Sequence, residues 1–312
     1  MRIPHRFRLL VLGLFASLAL AGFATSSANA TVTVGIGDQR PETFDDPLYK
    51  QLGVKRTRYV TPWNSIFSEP QILDQWIRAA ERNGLEPHIA FGRRRGLVCP
   101  SRACRAPSIR SYTAAFRAFH AKYPEVKVIA SWNEANSDTN EAGKNPKFAA
   151  ETYNVARRYC RGCTLIGADL LDTKNLSSYI DRFKRYVDRN PTIWGLHNYG
   201  DTNRFRSTGA KVLLKKTRGK VWFTETGGIV TFRTADGRTA LATSESRAAR
   251  AYRYLLGTLV NADRRRIQRV YLYNWKPLPA PLADRFDAGI LRSDGTPRES
   301  YNVLQQYRSL IR

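Results

Sequence analysis

Two glutamates offer the chemistry that is easiest to name. Glu134 stands in Trp132-Asn133-Glu134-Ala135-Asn136, and Glu225 in Thr224-Glu225-Thr226-Gly227. Two carboxylates brought to one place can break a glycosidic bond: one protonates the leaving oxygen, the other attacks the anomeric carbon or activates water. They must then differ in proton affinity. Arg58 could hold one ionised, while drier surroundings keep the other protonated. A single glutamate is ordinarily a solvated loop residue, so the pair gains its meaning from where the chain places it.

Short apolar, β-branched runs alternate with amphipathic stretches along the chain, which predicts a parallel sheet with crossover helices. Strands are expected at 32–36, 56–60, 87–91, 126–132, 165–168, 193–197, 221–225 and 270–275. Eight strands, each followed by a helix candidate, predict an α/β fold of the (β/α)8-barrel (TIM barrel) type; an open doubly wound sheet is disfavoured because no Gly-rich phosphate fingerprint is present. One helix should begin after Ser68 with Pro70 in its first turn and end before Gly84. Tyr112, Phe116, Phe119 and Tyr123 recur at helical spacing, as do Tyr301, Leu304 and Tyr307, and both stripes read as core-packing faces.

In such a barrel, active sites lie at the C-terminal ends of the strands, and only one parity of each strand faces inward. With Val221 and Phe223 inward, Glu225 follows; with Val128 and Ala130 inward, Glu134 follows. The same counting groups Gly195, His197 and Tyr199, then Tyr271, Tyr273 and Trp275, then Arg58 and Val60. Arg58, Glu134, His197, Tyr199, Glu225 and Trp275 are therefore expected to converge on one mouth. Tyr199 and Trp275 could instead merely fill it, and His197 could be a core histidine. Glu42, Asp169, Asp172 and Asp201 are further sugar-contact candidates that read more naturally as loop residues.

Composition bounds the setting. Residues 1–30 carry Arg2, Arg6 and Arg8, an apolar run from Leu9 to Phe23, and Ala28-Asn29-Ala30, the layout of a signal peptide cleaved after Ala30. A secreted single domain over 31–312 is the expectation, with no later segment apolar enough to span a membrane. Four cysteines fall in two local pairs, Cys99 with Cys104 and Cys160 with Cys163, which in an oxidising compartment read as two small disulfides; a zinc site built from all four, across distant loops, is the weaker reading. The formal charge is +25. It could favour an acidic polysaccharide, although most arginines are scattered as on solvated helix faces. Of the two runs, Arg93-Arg94-Arg95 follows a predicted strand, where a substrate loop belongs, and Arg264-Arg265-Arg266 precedes one, on the stability side. No paired His motif for a metal, no Gly-x-Ser-x-Gly elbow and no phosphate loop occurs. No cofactor is expected, and nucleic-acid binding would rest on charge alone.

These motifs resemble those of the clan A retaining glycoside hydrolases. Asn133-Glu134 resembles the Asn-Glu that ends strand four in that clan, and Thr224-Glu225-Thr226-Gly227 its strand-seven nucleophile motif. His197-Asn198-Tyr199 is similar to its strand-six His-x-Tyr, Trp275 to its strand-eight Trp, and Arg58 with Trp63 to its strand-two Arg and nearby aromatic. Ala135 departs from the Pro that often follows the motif Glu, and features are shared with small β-glucanase-, xylosidase- and mannanase-like members. The resemblance implies a retaining double displacement on a β-linked poly- or oligosaccharide. Glu134 is then acid/base, Glu225 nucleophile, Asn133 a partner of the neighbouring substrate hydroxyl, Tyr199 and Arg58 supports of Glu225, and Trp275 the sugar platform. A non-catalytic barrel that binds extracellular polysaccharide is the alternative from another class, since a fold can outlive its function. A transglycosylase would use the same residues.

Overall fold

The computed structural model describes residues 32–94, 106–140, 142–234 and 236–312. The expected signal peptide and the Cys99–Cys104 pair lie outside the described residues. Eight barrel strands are present: β1 (Thr33–Gly37), β2 (Arg56–Pro62), β3 (Glu86–Gly92), β4 (Val128–Ala130), β5 (Thr164–Leu171), β6 (Ile193–His197), β7 (Lys220–Thr226) and β8 (Ile267–Tyr273). They pair in the order β1-β8-β7-β6-β5-β4-β3-β2, every pair parallel. Glycines let β2 come back against β1. A Cβ on Gly35 would sit 2.7 Å from the Arg56 carbonyl oxygen, and one on Gly37 3.0 Å from that of Arg58. The result is the (β/α)8 barrel that the alternation predicts.

Two apolar layers arise from strand parity. Ile89, Phe91, Ile129, Trp194, Leu196, Val270 and Leu272 point outward into one large core shared with the helices. Ala90, Val128, Ala130, Ile166, Trp222 and Tyr271 fill the barrel itself. The helix Pro70–Arg82 starts on Pro70 and ends at Asn83, before Gly84 in the left-handed region at φ 64°. The helix Ile109–Lys122 is capped by Ser108, whose hydroxyl accepts from the Ser111 amide. Its Tyr112, Phe116 and Phe119, and Tyr123 beyond its end, are all buried as the stripe predicts. Cys160 and Cys163 are joined, their Cα atoms 5.5 Å apart, between the helix Pro146–Tyr159 and β5. Arg266 spends its guanidinium on the carbonyls of Leu214, Thr217 and Gly219, the structural use expected of the run before β8. Among the described residues no helix is long and apolar enough to cross a membrane.

Inward parity on β7 is the opposite of the expected one. Val221 and Phe223 belong to the outer core, while Trp222 enters the barrel. The ladder explains how Glu225 still reaches the mouth. Gly195 pairs with Trp222, but His197, two residues on, pairs with Glu225, three residues on. One extra residue is accommodated in β7, a β-bulge, and it resets the facing of the residues beyond it. β5 does the same: Ile166 pairs with Ile193 and Asp169 with Gly195. The β7 bulge lies near the C-terminal end of its strand and the β5 bulge in mid-strand, and each turns a carboxylate inward.

Candidate active site

Arg58 is the hub. It lies on β2 with its side chain inside the barrel and is 3% exposed. Its Nη1 donates to Glu225 Oε2 at 2.7 Å, and its Nη2 donates to Asp169 Oδ2 at 2.8 Å and to Asn133 Oδ1 at 2.6 Å. Room for Asp169 comes from Gly195, where a Cβ would lie 2.1 Å from Asp169 Oδ1. Tyr199, just past β6, donates its hydroxyl to Glu225 Oε1 at 3.1 Å. Both oxygens of Glu225 are thus held, one by a cation and one by a phenol. His197, wholly buried at the end of β6, lies 3.3 Å from Glu134 Oε1 through Nδ1, with Nε2 3.8 Å from Asp169 Oδ2 and 3.3 Å from Arg58 Nη2.

Glu134 is placed by a strained turn. β4 ends at Ala130, Trp132 packs outward on Tyr112 and Phe148, and Glu134 itself adopts φ 48°. A non-glycine residue in this region costs on the order of 1–3 kcal/mol and persists only where its surroundings impose it. Here the Asn133 amide donates to the Phe91 carbonyl, the Ala135 amide to that of Asp169, and Asn140 Nδ2 to that of Asn133. Trp132 Nε1 in turn donates to Asn140 Oδ1 at 2.7 Å. The carboxyl is turned back over the barrel as a result. An oxygen of Glu134, an oxygen of Glu225 and a nitrogen of His197 all lie within 4.8 Å of one another. One oxygen of each carboxyl thus comes near the other, the approach expected where the two groups stand the ~5–5.5 Å apart that a double displacement uses.

The charges are unequal. Burial would make the His197 imidazole easier to deprotonate, but Glu225, Asp169 and Glu134 outweigh it and push its pKa up to about 9. Burial pulls the Asp169 carboxyl upward, yet Arg58 and His197 hold it far below the usual range. For Glu134, too, burial is overcome, by His197 first and then by Arg58 and Arg93, and its pKa is lowered; the drier setting expected to keep one carboxyl protonated is outweighed in the free site by the cations around it. Burial next to Glu225 pushes the Tyr199 and Tyr273 phenols well up, so both stay protonated donors. The Glu134–His197–Glu225 cluster has the donor set of a metal site. Buried Arg58 already pairs with the Glu225 carboxylate of this cluster, Nη1 to Oε2 at 2.7 Å.

Arg58, Asn133, Glu134, His197, Tyr199 and Glu225 come together as the sequence predicts. Trp275 does not join them. It is fully buried between Tyr49 and Tyr301, its indole N–H on Asp46 Oδ2 at 3.1 Å and its amide on Asp38 Oδ2, so no face is open to a sugar. The chain leaves the β8 ladder after Tyr273, and inward parity ends there. Tyr273, half-buried and close enough to Glu225 to feel its charge, is the aromatic that β8 brings to the mouth. Trp63 is also no platform: only 6% exposed, it lies beneath the Arg94 guanidinium, 5.7 Å from ring centroid to Cζ. Asp201 and Asp172 serve backbone amides instead of the mouth: Asp201 accepts from Gly209 and Ala210, and Asp172 from Gly200 and Asp201. Burial pushes Asp172 up to about 6. Sequence reasoning missed the central part of Asp169, because nothing in the composition of β5 announces its bulge. The segment after β7 reaches the site through its partner strand. Its strands Thr231–Arg233 and Thr239–Leu241 form a small sheet with Phe286–Asp287, and Phe286 stands edge-on to Tyr199 at 5.6 Å.

No family model matches this chain, and no curated protein sequence does. Solved structures do match over most of its length. A family 39 glycoside hydrolase from the gut symbiont Bacteroides cellulosilyticus WH2 superposes with a TM-score of 0.58 at 17% identity, covering 91% of this chain and 64% of that one. A thermostable mutant of the xylanase Xyn10A from Cellvibrio japonicus gives 0.63 at 12% identity, covering 90% and 98%. β-Glucuronidase 2 of Bacteroides uniformis gives 0.63 at 15% identity, covering 91% of this chain and 35% of that one. This chain therefore spans under two thirds of the family 39 protein and about a third of the glucuronidase. At these identities the likeness is one of fold: the chain has the (β/α)8 barrel that these glycoside hydrolases share.

Proposed function

We propose that this chain is an exported retaining β-glycosidase acting on a poly- or oligosaccharide, with Glu225 as nucleophile and Glu134 as acid/base. The observation that carries the reading is the pair itself: two carboxylates with oxygens within 4.8 Å at the C-terminal mouth of the barrel, one ion-paired to buried Arg58 and the other against a buried imidazole. Likeness in fold to a family 39 glycoside hydrolase and to a xylanase supports it.

In the first step Glu225 attacks the anomeric carbon. A bond from that carbon to the carboxylate oxygen forms, and the bond to the leaving oxygen breaks as Glu134 donates its proton. Arg58 and Tyr199 hold the Glu225 carboxylate and aim it. In the second step Glu134 takes a proton from water, whose oxygen attacks the same carbon and releases Glu225. A sugar acceptor in place of water would make the outcome transglycosylation. Asn133 has its Oδ1 engaged by Arg58, which leaves Nδ2 to donate to the hydroxyl beside the reacting carbon. Tyr273 takes the part that the resemblance gave to Trp275.

The test is sugar release from a panel of β-linked polysaccharides and aryl β-glycosides, by wild type and Glu134→Ala. Wild type is expected to cleave at least one. In kcat/KM the variant should lose about 10²–10⁴-fold on polysaccharide, whose leaving group needs a proton, and far less on nitrophenyl glycosides, whose leaving group does not. Tight binding of one polymer without cleavage of any substrate would establish the binding barrel instead.

A further inference from the structure

Beside Glu134 the mouth opens into a pocket of about 280 Å³ lined by Val60, Gly92, Arg93, Arg94, Asn133, Glu134 and Thr139 among others. Small-molecule sites run from about 300 to 1,000 Å³, so this is the room of one sugar ring beside the reacting one. Two consecutive arginines in the turn leaving β3 both line it. Adjacent residues usually diverge, and like charges sharing one concavity repel. Arg93 is anchored, with Nη1 donating to the Thr139 carbonyl at 2.8 Å, which ties the turn after β3 to the one after β4. Arg94 rests on the Trp63 ring. Both guanidinia are thus pre-positioned, and neither is paired with an acidic side chain among the described residues. Of the carboxylates, Glu134 faces the pocket, and it is the group that must carry a proton when substrate is cleaved. An anionic substituent would relieve the repulsion and could take the planar forks of donors that guanidinium offers to carboxylates and sulfates.

Resting on the glycosidase reading, we infer that this pocket is a subsite for an anionic sugar, one carrying a carboxylate or a sulfate ester, held by Arg93 and Arg94. The buried indole of Trp63 then has its use as the bed for Arg94, not as a surface for sugar.

The test is calorimetric binding in the Glu225→Ala background, where turnover cannot intervene. The probes are β-linked tetrasaccharides of glucuronate and of mannuronate, their neutral carboxyl-reduced counterparts, and sulfated forms of the latter. At least one charged chain should bind about tenfold or more tighter than its neutral counterpart, as charge-assisted bonds to an anion allow; whether it is the carboxylated or the sulfated one identifies the substituent. Arg93→Gln/Arg94→Gln should abolish that preference. Arg264→Gln/Arg265→Gln, which removes the same charge from exposed residues before β8, should preserve it. No preference for any charged chain, or equal loss in both double variants, would overturn the subsite and leave only bulk attraction by a chain of charge +25. Loss of hydrolysis by the wild-type protein is a separate reading and would speak against the glycosidase, not the pocket.

Discussion

Glu225→Ala abolishes hydrolysis of β-glycosides, by on the order of 10⁴-fold or more, as expected when a nucleophile that works as part of a unit is removed. Azide then restores turnover of activated aryl glycosides and yields an α-glycosyl azide. The reason is geometric. Removing the carboxylate that Arg58 and Tyr199 hold leaves a polar void facing the anomeric carbon from the side opposite the leaving group. A small anion can enter it, form the carbon–nitrogen bond and expel the phenolate, with one inversion. Glu134→Ala should behave differently. There the glycosyl–Glu225 intermediate still forms, and azide attacks it from the other face to give the β-glycosyl azide. Product anomers assigned by NMR separate the two roles. The same anomer from both variants would mean that the roles are misassigned.

Arg58→Ala destabilises the fold as well as silencing the site, by about 3–5 kcal/mol, the usual cost of leaving a buried charge without its partner. Asp169 is the charge left behind: fully buried, 2.8 Å from Arg58 and placed by the β5 bulge with only His197 to compensate. Arg58→Ala combined with Asp169→Leu should recover part of that stability and none of the activity, which separates the electrostatic cost from loss of packing. Arg58→Lys will not rescue, because one ammonium cannot serve Glu225, Asp169 and Asn133 in the plane of a guanidinium. The same network gives stability a pH dependence. His197 has its pKa raised to about 9 in the folded protein, against about 6.5 when unfolded. Its contribution is complete below the unfolded value and is lost as pH rises through the folded one, on the order of 1–3 kcal/mol in total. Asp169, held far below the usual range, runs the other way: its contribution is present above about 3.9, the unfolded value, and disappears as pH falls toward its depressed pKa. Thermal unfolding should therefore show a midpoint that declines on the alkaline side, and His197→Gln should flatten that decline. A wild-type midpoint unchanged between about pH 6 and 10 would mean that His197 is not charged in the fold.

The barrel is legible in the sequence because parallel strands buried on both faces must be short apolar, β-branched runs. β6 is found at its predicted bounds, 193–197, and seven others fall within a few residues. β4 is shorter than expected because the chain turns at Ser131 to bring Asn133 and Glu134 over the barrel. Facing is less legible. Counting in twos fails wherever a strand takes in an extra residue, and β7 shows how a right conclusion can come from a wrong parity: Glu225 does face inward, but through a bulge and not through Val221 and Phe223. Asp169, which the sequence offers only as a sugar-contact candidate or loop residue, is turned into the barrel by a bulge of the same kind on β5. Trp275 illustrates the opposite error. Two residues past Tyr273 the strand ladder has ended, and an aromatic that continues the count on paper belongs to the outer core in space. Residue type marks which groups can do chemistry, whereas the hydrogen-bond register decides which of them meet.

The most direct measurement is the anomeric configuration of the first sugar released from an aryl β-glycoside or β-linked oligosaccharide that the protein cleaves, followed by proton NMR from the start of hydrolysis. Two displacements at one carbon, by Glu225 and then by water, predict the β-anomer first, with the α-anomer growing only as mutarotation proceeds. The α-anomer appearing first would mean a single displacement by water, and would contradict Glu225 as nucleophile despite carboxylate oxygens within 4.8 Å.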